Sequence, residues 1–137
     1  MRRLLLAAIL ICVTCSIATA RDTYLTDAIK KPAYMRSLSS LIESAGKLPS
    51  WTRQVLKTSG DYVGTPVTYS TIEGTRYELF NTCQAHDCTN NAMALMFAPK
   101  GAKAWGAIVI DAKAVTYLGK PDAAQQAALK RAFATSH

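Results

Sequence analysis

After Gly60 the hydrophobic pattern changes period, and that change limits the fold more than any other feature of the chain. Before it, apolar residues recur at helical spacing. Beyond it they fall in short runs rich in β-branched and aromatic residues, cut by turn signals at Glu73-Gly74, Pro99-Lys100-Gly101 and Asp111-Ala112-Lys113. The pattern predicts strands over residues 65–72, 75–82, 91–98, 104–110 and 114–118. Parallel neighbours would need long crossovers, and these connections are short, so the five strands are expected to form an antiparallel meander.

Helices flank this region in the sequence. Pro32 suits a first helical turn, and Tyr34, Leu38, Leu41 and Ile42 follow at helical spacing until Gly46, which predicts an amphipathic helix over residues 32–45. Leu48-Pro49-Ser50-Trp51 opens a shorter helix with Trp51, Val55 and Leu56 on one side, ended by Gly60. Gly119 closes the sheet, and Pro121-Asp122 opens a last helix over 123–134, with Ala124, Ala127, Ala128, Leu129 and Phe133 as its expected buried side. The reading is an α+β domain: a five-stranded antiparallel meander flanked by two N-terminal helices and a C-terminal helix.

The first twenty residues read differently. Arg2 and Arg3 precede an apolar run from Leu4 to Val13, and Ala18-Thr19-Ala20 supplies the small residues of a cleavage site. The run is too short to span a bilayer, so residues 1–20 are expected to be a cleaved secretory signal, leaving residues 21–137 as a single exported domain in the periplasm. Neither Cys12 nor Cys15 follows a lipobox pattern, so no membrane anchor is expected. With the leader go two of the four cysteines, and the pair that stays, Cys83 and Cys88, reads as a disulfide in an oxidising compartment. The formal charge drops from +7 to +5 with the loss of Arg2 and Arg3. The remaining basic residues are scattered, with Lys30-Lys31 and Lys130-Arg131 the adjacent pairs, so no nucleic-acid groove is indicated.

Between those cysteines lies the chemistry: Cys83-Gln84-Ala85-His86-Asp87-Cys88. A bridge closing so small a ring stabilises the fold by only about 2 kcal/mol, so its main effect is local shape, with His86 pushed outward at the tip. Asp87 can cap loop amides or orient the imidazole of His86. Catalysis finds little support. His86 and the C-terminal His137 are the two imidazoles, no nucleophile-elbow motif precedes a serine, and the acids fall mostly in turns or on exposed faces. Metal binding by Cys83, His86 and Cys88 would strain a six-residue segment and lacks a fourth ligand, and an oxidised pair supplies no thiolates. A C-x4-C loop between strands is also unlike a thioredoxin-type redox motif. No cofactor or metal is expected, and the chain reads as non-enzymatic. The plain alternative is a disulfide that merely pins a loop, in a structural envelope or glycan-binding module. Trp51, Trp105, Tyr69 and Tyr77 would be that module's aromatics, although core packing explains each of them.

The ring resembles the C-K-P-H-D-C loop of the Ivy family, bacterial inhibitors of vertebrate lysozyme, and Leu48-Pro49-Ser50-Trp51 is similar to that family's L-P-x-W segment. The resemblance implies an antiparallel meander with flanking helices. It also implies a periplasmic protein that evades host defence, protecting peptidoglycan by inserting this loop into the catalytic cleft of C-type lysozyme. On that basis His86 is the residue that meets the enzyme's catalytic acids, with Asp87, Gln84 and Ala85 completing the inhibitory loop. Cys83 and Cys88 are its disulfide. Gln84 and Ala85 replace a basic residue and a proline of the pattern, giving a less charged loop with a freer backbone. Retaining glycosidases, lysozyme among them, hold two carboxyl groups about 5 to 5.5 Å apart, and a protonated imidazole offers an N–H on either edge to address both. C-type lysozymes are strongly basic, however, so a +5 chain would be slowed rather than steered toward them. The family has also been linked to the cell's own lytic transglycosylases, which makes them the alternative partner. Monomer and homodimer both remain open.

Overall fold

The alternation that begins after Gly60 becomes an antiparallel sheet of six strands. The computed structural model describes residues 21–134, so the leader expected over residues 1–20 and the terminal His137 lie outside the described residues. Three strands run as expected, β3 (Thr75–Gln84), β4 (Ala92–Phe97) and β5 (Ala104–Val109), followed by a short β6 (Thr116–Leu118). Each pairs antiparallel with the next, so the meander expected from the short connections is present.

The edge differs from the expectation. The sequence pattern predicts a single strand over residues 65–72, but two short ones, β1 (Tyr62–Gly64) and β2 (Thr68–Ile72), both pair with β3, at its far and near ends respectively. Pro66 lies between them and has no N–H to give to a ladder, which confines it to an interruption on an edge strand. At that break Val67 donates instead to the carbonyl of Thr23, so the N-terminal segment is tied to the sheet edge. The tight hairpin from β2 to β3 turns on Glu73 and Gly74, both at positive φ (48° and 78°), a pairing that matches the twist of the strands.

Helices cover both faces. A single turn, α1 (Leu25–Ala28), precedes α2 (Pro32–Ser44), and the Trp51 segment is a 3₁₀ helix (Ser50–Leu56) rather than an α-helix. The α1 turn leaves no signal in the sequence because four residues show no periodicity. On this face Tyr34, Leu38 and Leu41 of α2 and Val55 pack against Phe80, Leu95, Phe97 and Ile108 of the sheet. Phe97 stands edge-on to Phe80, with ring centroids 5.8 Å apart. Gly101, at φ 72°, lies under the Tyr34 ring where a Cβ would come within 2.5 Å, so the turn into β5 requires glycine there.

The last helix, α3 (Ala123–Ala134), packs on the opposite face, over Leu79, Ala94, Met96 and Ala107. Small alanines on both sides let helix and sheet approach closely. Its buried row is Gln125, Ala128, Leu129 and Ala132, whereas Ala124 and Ala127, expected inside, are exposed. The reason lies at its start: Asp122 and Gln125 form a reciprocal pair, each backbone N–H donating to the other's side-chain oxygen at 2.9 Å, and this box sets the helix's rotation with Gln125 facing in. Trp51 and Trp105 are both core residues, but Tyr69 is half exposed, with the Arg76 guanidinium 3.7 Å above its ring, so packing in the core does not explain it.

Candidate functional site

The expected loop is the connection between β3 and β4, the two strands at the centre of the pairing order. Cys83 is still in the ladder, opposite Ala92 on one side and Val63 on the other, and Gln84 is the last residue of β3, opposite Tyr62. The turn proper is therefore shorter than the ring, with Ala85 and His86 leading it out of the strand. The Cys83–Cys88 disulfide is formed, with Cα atoms 4.9 Å apart, inside the usual span for such a bridge. One stem of the ring is thus held by hydrogen bonds on both sides, and the other is fastened to it covalently.

His86 is exposed at the bend and takes the left-handed conformation, φ 67°, uncommon outside glycine although histidine, like asparagine and aspartate, adopts it more readily than most residues. Its imidazole makes no side-chain hydrogen bond within the described residues. Asp87, beside it, is fully engaged. Its N–H donates to the Gln84 carbonyl, closing the turn, and its two carboxylate oxygens accept from the side-chain amides of Asn90 and Asn91, each at 2.7 Å. Of the two roles open to it in the sequence, Asp87 takes the capping one and leaves His86 unpaired.

Asn90 and Asn91 belong to the site although the hydrophobic pattern does not single them out. That pattern begins a strand at residue 91; instead β4 begins at Ala92 and Asn91 is a buried brace. Its carbonyl receives the N–H of Gln84, and its side-chain oxygen receives that of Asp111 at 3.2 Å, while Ala112 donates to the carbonyl of Asn90. The ring is thereby tied to the β5–β6 turn, where Asp111 and Ala112 both have positive φ. Two consecutive asparagines straight after a ring are the available signal, since their side chains commonly close turns.

The site thus offers one accessible imidazole on a braced protrusion. The Asp87 carboxylate is occupied by amides, and among the described residues no acid is paired with His86. Among the described residues no group of three His, Cys, Asp or Glu side chains is placed to hold a metal ion.

A family model described as "Inhibitor of vertebrate lysozyme (Ivy)" matches residues 43–136, from the end of α2 through α3. The chain belongs to the Ivy family. Two relatives give the spread. An uncharacterised protein of Yersinia pestis is 28% identical over 99 residues, which is 72% of this chain and 57% of that protein. A protein of Pseudomonas aeruginosa named inhibitor of vertebrate lysozyme is 29% identical over 82 residues, 60% of this chain and 50% of its own length. The matches therefore span only about half of each of these proteins. The Ivy match takes in the whole sheet and the ring, so the resemblance of the six-residue loop extends over the scaffold that carries it.

Proposed function

We propose that this Ivy-family chain is an exported, non-enzymatic inhibitor that acts in the periplasm, after loss of residues 1–20, by seating the 83–88 ring in the catalytic cleft of C-type lysozyme. In this reading His86 lies between the two catalytic carboxyl groups and donates to both, and the disulfide preorganises the loop so that little ordering cost remains on binding. The observation that carries it is the state of His86: exposed, without an internal partner among the described residues, at the tip of a loop closed by Cys83–Cys88 and braced by Asp87.

The test is inhibition of a C-type lysozyme by the wild type, by His86→Ala and by a Cys83→Ser, Cys88→Ser pair. Loss of about 2 kcal/mol or more, roughly thirtyfold in the inhibition constant, is expected for His86→Ala, as for an interface hot spot. A weaker loss is expected for the cysteine pair, whose loop can still reach the cleft. A wild type that leaves lysozyme active overturns the reading. Inhibition of a lytic transglycosylase in its place would favour the second partner, whose support is the net positive charge that this chain shares with basic lysozymes.

A further inference from the structure

Beside the last described turns of α3, Val63, Ala92, Val109 and Val115 form an apolar shelf which, with Phe133 and the Cys83–Cys88 bridge, bounds a cavity of about 480 Å³. That volume lies within the range, roughly 300 to 1,000 Å³, of sites for small organic ligands. Asn81 and Lys130, together with Thr65, Thr82 and Thr89, interrupt the apolar wall. Asn81 is only 7% exposed; its side-chain nitrogen donates to the Ala132 carbonyl at 2.6 Å, but its Oδ1 is buried with no partner. Leaving a buried acceptor unmatched is costly, and a donor brought by a ligand would relieve it. Lys130, exposed at the rim, meets no carboxylate among the described residues. Trp51 Nε1 and Tyr62 Oη, also buried without partners among the described residues, belong to the opposite face beneath α2.

We infer that this cavity binds a small amphiphile with one anionic group and one N–H or O–H donor, the chemistry of an N-acylated amino acid. Its carboxylate pairs with Lys130 and its acyl chain lies along the valines and Phe133, while a turn of the Asn81 side chain, whose Oδ1 is closed to solvent as it stands, brings that oxygen to the amide N–H. Both ring cysteines line the same space, so the ligand sits directly behind the inhibitory loop, but the inference does not depend on what that loop blocks.

The probe is N-octanoylglycine, titrated into the full exported chain by calorimetry and followed through backbone amide NMR shifts. Saturable one-to-one binding is expected, with the largest shifts at Ala92, Val109 and Phe133. Lys130→Glu, a change at an exposed position, should weaken it about tenfold. N-octanoylsarcosine, which carries a methyl in place of the amide hydrogen, should also bind about tenfold more weakly to the wild type. Absence of saturable binding, shifts centred elsewhere, or equal affinity in both comparisons would overturn the assignment.

Discussion

Asp87 braces the ring alongside its disulfide. A carboxylate accepting from two side-chain amides, with its own N–H closing the turn onto Gln84, holds three separate points of the loop. Hydrogen bonds to charged groups are worth about 1.5–3 kcal/mol each when sheltered and less where, as here, part of the group is exposed. Asp87→Ala is therefore expected to weaken inhibition about tenfold while leaving thermal unfolding nearly unchanged, because the loop loosens but the core does not. Loss of hydrogen-exchange protection at the Asn91 amide, which donates to the Asp87 carbonyl, is the local check. Unchanged inhibition would mean that the disulfide alone shapes the loop. The sequence leaves Asp87 two roles, because its neighbours within reach include both His86 and the asparagines. Only the path of the turn, with His86 in the left-handed region, selects between them.

Among the elements, α2 and β3 are joined by a contact that gives the fold an alkaline limit. The Tyr34 hydroxyl donates to Glu78 at 2.7 Å, and burial together with that carboxylate pushes its ionisation well above the ordinary tyrosine value of 10. Tyr62 is shifted the same way by burial alone. With the folded value raised, the contribution of these groups is intact below about pH 10 and is lost as pH climbs beyond it, when the unfolded chain ionises first. Denaturation midpoints are expected to hold steady up to about pH 10 and then fall, and Tyr34→Phe should flatten that fall. Helix α2 itself is readable from periodicity, since Tyr34, Leu38, Leu41 and Ile42 all face the core. The split of the first strand is not, because a proline interrupts a ladder only once the partner strand is in place. Nor is the rotation of α3, whose alanines carry almost no hydrophobic asymmetry; its orientation comes from the Asp122–Gln125 box and from the close fit of Ala128 and Ala132.

The molecule as a whole carries a formal charge of +7, or +5 without Arg2 and Arg3, and basic targets repel it at long range. If lysozyme is the partner, its association rate should rise as salt is added, since screening weakens the repulsion over a Debye length of about 10 Å at 0.1 M. Stopped-flow association measured at low and at moderate ionic strength checks this, and a rate that falls with salt would point to an acidic partner surface. The amino-acid sequence by itself determined the change from helical to strand periodicity, the short antiparallel connections, the Cys83–Cys88 pairing and the family, because each rests on residues close together along the chain. Tertiary structure alone decided that Asn91 braces the ring against Asp111 twenty positions away, and that β1 and β2 share one edge of β3. It likewise decided that Ala92 and Val109 of the sheet and Lys130 and Phe133 of α3 line one cavity. These depend on which surfaces close packing brings together, and a side chain's nearest neighbours across a sheet or beneath a helix are not written in its neighbours along the backbone.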